Sequence, residues 1–266
     1  MRARPRTRQP AAVTLVAVAG VLAACGGGAS SRTTSAPRPS STTTAASSQP
    51  AALVRAALAR ARGERSLRYR ATTTYSANGA HLSLTVSGQV TGSQGVQTIT
   101  ERFPTGSGHV TVELLGGVAY FKGDVQGLEH YMNFPATAAR RDAGRWISVR
   151  RTAGTVYREV SAALTLRSAV SEILIGAPFS SAVPVDAASG VATVTGKLTG
   201  QLPSGVSSES ATLKISRRGH GLPVSYRARV VGSGRSEEVV SVFEDWGRPV
   251  VLPAAPSGAL AYSAAG

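Results

Sequence analysis

The stretch Leu67-Arg68-Tyr69-Arg70-Ala71-Thr72-Thr73-Thr74-Tyr75-Ser76-Ala77-Asn78-Gly79-Ala80-His81-Leu82-Ser83-Leu84-Thr85-Val86 decides the fold class. Leu67, Tyr69, Ala71, Thr73 and Tyr75 alternate with polar neighbours, the period-two pattern of a strand with one buried face. Asn78-Gly79 follows, and both residues accept the positive φ of a two-residue hairpin turn. Leu82, Leu84, Val86 and Val90 then resume the alternation. The pair reads as a β-hairpin.

Working outward, the same rhythm continues. Val96 to Phe103 reads as a third strand, turned at Pro104-Thr105-Gly106. Val110, Val112 and Leu114 alternate next. Gly116-Gly117 turns the chain into Val118-Ala119-Tyr120-Phe121. Five strands spaced about ten residues apart make an antiparallel meander. Ahead of them, Leu53, Val54, Ala57, Leu58 and Ala61 form a helical stripe over 51–64, with Ser47 or Ser48 as cap.

Residues 124–144 have loop character, with Leu128, Tyr131, Met132 and Phe134 scattered through them. A short strand covers Trp146 to Val149. Residues 156–176 read as helix in two pieces, with Val160, Leu164, Leu166, Val170, Ile173 and Leu174 as apolar points. Strands return at 191–198, 211–216, 224–231 and 237–244. The order predicts an α+β fold: one highly curved antiparallel sheet with helices against one face.

Composition narrows the class. The chain has 266 residues, 42% hydrophobic, so it can build a core. Its single cysteine excludes a disulfide framework within the chain and a multi-cysteine metal site. Only one long uncharged stretch exists, near the start, which excludes a polytopic membrane protein. The net charge is +15, but residues 51–266 hold 23 basic against 14 acidic residues, or +9. Basic residues are nearly all arginine, which a GC-rich genome would also produce.

The N-terminus carries an address. Residues 1–10 are basic, and Ala11 to Ala24 run 14 residues without a charge. That is too short for a hydrocarbon core of ~30 Å and suits a signal peptide over 1–24. The run ends Leu22-Ala23-Ala24-Cys25-Gly26, which resembles the bacterial lipobox. The resemblance implies cleavage before Cys25 and lipidation of its thiol, and hence a lipid-anchored protein on the extracytoplasmic side of the cell membrane. Residues 26–50 hold 12 Ser or Thr and no large apolar residue. They read as a disordered tether from the lipidated Cys25, open to O-glycosylation. Its r.m.s. span would be roughly 25–30 Å. One domain over 51–266 follows.

Three further stretches resemble a known group. They are Gly117-Val118-Ala119-Tyr120-Phe121-Lys122-Gly123, Gly144-Arg145-Trp146-Ile147-Ser148-Val149, and Val242-Phe243-Glu244-Asp245-Trp246-Gly247-Arg248-Pro249-Val250. With the lipobox and the opening helix, their order resembles actinobacterial lipoproteins of the LppX/LprG type, which share a LolA-like fold. That resemblance implies a half-barrel with helices packed on its concave face and acyl chains held there, and binding or transfer of a glycolipid, lipoglycan or phospholipid, with an envelope transporter as partner. The alternative is an envelope interaction or assembly lipoprotein of the same fold with a filled core.

Candidate residues follow from both readings. Val110, Val112, Leu114, Tyr120, Leu164, Val170, Ile173 and Leu174 would line a ligand cavity, or else form a plain core. Arg140, Arg141, Arg145, Arg150 and Arg151 would hold phosphate or carboxylate headgroups, or else form a solvated face. Trp146 and Trp246 are expected to plug the ends of the sheet, each indole N–H bonded to a carbonyl. No catalytic or metal motif appears, no cofactor is expected, and nucleic acid lacks the interleaved aromatics it needs.

Overall fold

The computed structural model describes residues 45–173, 179–186, 190–197, 206–216, 218, 220–232 and 234–262. Cys25, the signal segment and most of the tether lie outside the described residues. The first helix, α1, spans Ala45–Gly63 and begins six residues ahead of the expected start, so Ser47 and Ser48 lie within it instead of capping it and residues 45–50 are helix where a disordered tether was expected. Pro50 lies inside it and is buried. Proline's fixed φ suits a helix, and a position near the helix start costs only one early backbone bond. The predicted stripe packs as drawn: Val54, Ala57 and Ala61 are buried, with Leu53 and Leu58 against the core.

The five-strand meander is present: β1 Ser66–Ala77, β2 Ala80–Thr91, β3 Gly95–Phe103, β4 Gly106–Leu115 and β5 Val118–Gly123. The segment read as a loop carries a π-helical turn, Gly127–Tyr131, and a helix α2, Ala136–Asp142. Alanine-rich composition stabilises α2 without apolar periodicity, so no stripe marks it in the sequence. Strand β6 is Ile147–Val149, and helices α3 (Thr155–Val160) and α4 (Leu166–Ile173) follow. Strands β7 (Phe179–Asp186), β8 (Val191–Lys197), β9 (Val206–Ser216), β10 (Leu222–Gly232), β11 (Arg235–Glu244) and β12 (Leu260–Ala261) complete the order. Strand β7 was absent from the sequence reading. It is serine-rich and contains Pro184, which suits the edge position it occupies.

The described strands form one sheet in the order β12-β6-β5-β4-β3-β2-β1-β11-β10-β9-β8-β7. All neighbours are antiparallel except β12 with β6. Two meanders are thus joined through β1 and β11, in register from Arg68 opposite Glu244 to Ala77 opposite Arg235. Residues from β2 and from β8, five strand spacings apart, share one core around α1 and α4. A flat sheet would hold them roughly 24 Å apart. The sheet therefore curves around its helices, and the fold is α+β as predicted. A second core gathers β3 to β6 under the π-turn, α2 and α3.

Candidate functional site

The register assigns every strand residue to a face, because antiparallel partners point the same way. The inward face carries Tyr69 opposite Gly88 and Phe243, and Gly88 opposite Gln97. One step along, Ala71 faces Val86 and Ser241, and Ser241 faces Tyr226. The next row places Thr73 between Leu84 and Val239, with Glu101 beyond Leu84. The last places Tyr75 between Leu82 and Glu237, with Val230 and then Glu209 beyond.

Burial divides this face. The first rows are sealed by helices: Leu67, Tyr69, Val90 and Phe243 pack with α1 and α4. Gln97 donates to Tyr69 Oη and, at 3.1 Å, to the Ala163 carbonyl, tying β1 and β3 to the α3–α4 connection. The last rows are different. Tyr75, Leu82, Val230 and Val239 are half-buried and belong to neither core. Leu84 and Val86 border the cores and are also half-buried. An apolar trough thus runs along the hairpin end of the inward face.

Three carboxylates sit on this face. Burial pushes the Glu101, Glu209 and Glu237 carboxyls up from their ordinary values, with His130 opposing the shift at Glu101. Burial, with Glu209 nearby, raises the Tyr226 phenol to about 12. Glu101 Oε2 and Ser241 Oγ are buried without a hydrogen-bond partner. Glu237 and Glu238 point to opposite faces, as adjacent strand residues must; Glu238 pairs outward with Arg227 at 2.7 Å.

The candidates from sequence are distributed as follows. Val110, Val112, Leu114 and Leu164 come together in the second core, all at most 5% exposed. Val170 is fully buried in the first. The space they share is filled by side chains. Tyr120 lies opposite Glu113 and Ser148 on the outward face, away from Val112 and Leu114. Ile173 ends α4, and Leu174 lies outside the described residues. Arg140, Arg141 and Arg145 precede β6 and Arg150 and Arg151 follow it, so the strand splits the run; all five are exposed. Arg141 is paired with Asp142 at 2.8 Å. Arg151 lines an open groove of about 460 Å³ together with Leu114, Tyr157, Arg158 and Thr165, so one expected cavity residue and one expected headgroup residue meet there.

Trp246 is placed as expected, its indole donating to the Pro223 carbonyl at 2.8 Å. Trp146 instead lies under the Lys122 ammonium, 4.9 Å from the ring centre. The trough residues Tyr75, Leu82 and Leu84 were visible as alternating apolar positions. Glu237 stood out in the sequence only as half of the adjacent pair Glu237-Glu238, and Glu101, Glu209 and Ser241 carry no motif; the same alternation, carried through β3, β9 and β11, places each on the inward face.

No helix among the described residues is long and apolar enough to cross a membrane. No protein-family model matches the sequence, and no curated protein does. Among solved structures, the chain is similar to LprF from Mycobacterium bovis, at 13% identity and TM-score 0.45, over 78% of this chain and 97% of that one. It is also similar to the lipoprotein LppX from Mycobacterium tuberculosis, at 14% identity and TM-score 0.42, over 77% and 99%. A LolA-superfamily protein from Nitrosomonas europaea follows at 11% identity and TM-score 0.29, over 76% and 94%.

Proposed function

We propose that this chain is an extracytoplasmic protein, anchored through a lipid on Cys25, that binds the hydrocarbon part of an amphiphile without making or breaking a bond. The observation that carries the reading is the trough. Tyr75, Leu82, Leu84, Val230 and Val239 present apolar surface on the same face as the cores, yet the helices leave them half-exposed. Apolar surface of this kind gains roughly 25 cal/mol per Å² when covered, and one buried methylene is worth about 0.8 kcal/mol. An alkyl chain laid along the trough collects that free energy repeatedly. The lipobox resemblance supplies the membrane setting, where acyl chains are the abundant apolar partner.

A second reading keeps the same fold with a protein segment on the trough, and the filled space beneath the helices favours it. Native mass spectrometry of protein purified from its own host separates the two. Co-purifying amphiphile, lost in a Leu84→Gln/Val239→Asn double variant that still melts cooperatively, supports the carrier. Absence of any co-purifying amphiphile, with no uptake of added glycolipid or phospholipid, refutes it. Transfer to an envelope transporter would then be tested by crosslinking in cells.

A further inference from the structure

The cations of the sheet are sorted by face. Among strand residues whose side chains are described, the register puts eight lysines and arginines outward, Arg68, Arg102, Lys122 and Arg229 among them. Inward stand Glu101, Glu209 and Glu237 with one cation, Arg235, at the hairpin end of β11, whereas Glu113, Glu238 and Glu244 stand outward among the cations. A chain with 29 basic and 14 acidic residues thus turns an acidic face to its own trough.

The geometry makes this more than a count. Glu237 and Glu209 flank Val230 on one row, roughly 10 Å apart across two strand spacings. Glu101 stands on the other side of Tyr75 and Leu84, one row deeper. It is 8% exposed and its Oε2 has no partner. Ser241 Oγ, fully buried on the same face, also has none. Buried polar atoms are nearly always satisfied, so the orphaned Glu101 Oε2, next to half-buried Leu84 on this face, calls for a donor. The charged and titratable groups facing the three carboxylates include His130 from the π-turn, which opposes Glu101, Tyr75 opposite Glu237, Tyr226 near Glu209, and Arg235, exposed at the turn.

We propose that the trough selects amphiphiles whose head is cationic and donates hydrogen bonds, an alkylammonium or amino-sugar head, over those with phosphate or carboxylate heads. The proposal rests on the trough being an amphiphile site. The hydrocarbon lies along Leu82, Leu84, Val230 and Val239, and the ammonium N–H groups reach Glu101 or Glu237. A phosphate in the same place meets the carboxylate of Glu101 or Glu237, with Arg235 the one inward strand cation among the described side chains. The exposed arginines around β6 lie outside this face and do not compensate.

The test uses the full chain carrying Cys25→Ala, in 0.15 M salt at pH 7, with Nile red as a neutral reporter. Dodecylamine and dodecyl phosphate are titrated as competitors. Dodecylamine is expected to displace the dye at a concentration at least about tenfold below that of dodecyl phosphate. A Glu101→Gln/Glu209→Gln/Glu237→Gln variant is expected to bring the two within about twofold while still binding the dye. Glu237→Gln alone, the milder change, should narrow the ratio part of the way. Equal or tighter displacement by the phosphate overturns the head preference and leaves the trough standing. A preference that survives the triple variant overturns the assignment to these carboxylates. Failure of the dye and both amphiphiles to bind overturns the trough itself, and the preference with it.

Discussion

Consider Gly88→Ala. Gly88 lies on β2 between Tyr69 and Gln97, on the inward face. A methyl added there would sit 2.4 Å from Cε1 and Cζ of Tyr69 and 2.7 Å from its Oη. The Tyr69 ring, 2% exposed, covers the bare backbone of its neighbour and cannot stay where it is. Its hydroxyl donates to the Ala163 carbonyl at 3.4 Å and accepts from Gln97. Moving the ring by about an ångström disturbs both bonds. Overpacking of this kind costs about 1–3 kcal/mol. A buried polar group left unpaired adds about 1–3 kcal/mol. The sum is about 2–6 kcal/mol, which lowers the melting temperature of a domain this size by roughly 5–20 °C. Thermal unfolding followed by circular dichroism measures it. A double-mutant cycle isolates the cause. In a Tyr69→Ala background the ring is gone, so adding Gly88→Ala should cost nothing, or gain about 0.4–1 kcal/mol from a stiffer unfolded chain. A melting temperature within about 2 °C of the parent, or a penalty that persists without the ring, would refute the reasoning.

Glu237→Gln should stabilise the protein at pH 7. Burial raises the folded carboxyl above its unfolded value, so the fold prefers the protonated form. The carboxylate's penalty is absent below about pH 4.3 and appears in full once pH passes the raised folded value. Denaturation midpoints of variant and parent should therefore diverge at pH 7 and converge near pH 3.5; divergence at both would exclude titration as the cause. Phe121→Ala empties a fully buried site against Phe134 and Ile147, at a cost of about 3–5 kcal/mol read from urea unfolding. Trp246→Phe removes the bond to the Pro223 carbonyl and should cost about 1 kcal/mol by the same method, far less than a cavity. Cys25→Ala should move the protein from the membrane pellet to the soluble fraction of a cell lysate; a protein still pelleting with membranes would remove the anchor from the proposal.

Much of the fold was legible because strand alternation and turn chemistry are local. The residues from Leu67 to Phe121 state which side chains share a face and where the chain reverses, and β1 to β5 follow that statement. The stripe of α1 was equally plain. Strand β7 was not, since serines and Pro184 carry little apolar signal. Helix α2 was not, because an alanine-rich turn needs no stripe. Among the candidate residues, Val110, Val112 and Leu114 share a buried face as the alternation implies. Tyr120 stands on the other side, because the register of β4 with β5 pairs it with Glu113. Sequence alone does not state that pairing.

Sequence by itself determined that the chain is β-rich, that its single cysteine closes a lipobox-like run, and that its charge is strongly basic. These are properties of composition and near neighbours. Only the tertiary structure decided that β1 pairs with β11, about 170 residues away, and so joined two meanders into one curved sheet. That closure also decided how far the helices reach across the inward face, leaving Tyr75, Leu82 and Val239 half-buried. It brought Glu101, Glu209 and Glu237 from three separate strands onto one apolar surface. The physical reason is range. A strand's alternation is set by its own residues, whereas desolvation and exposure are set by whichever strands and helices come to lie beside it.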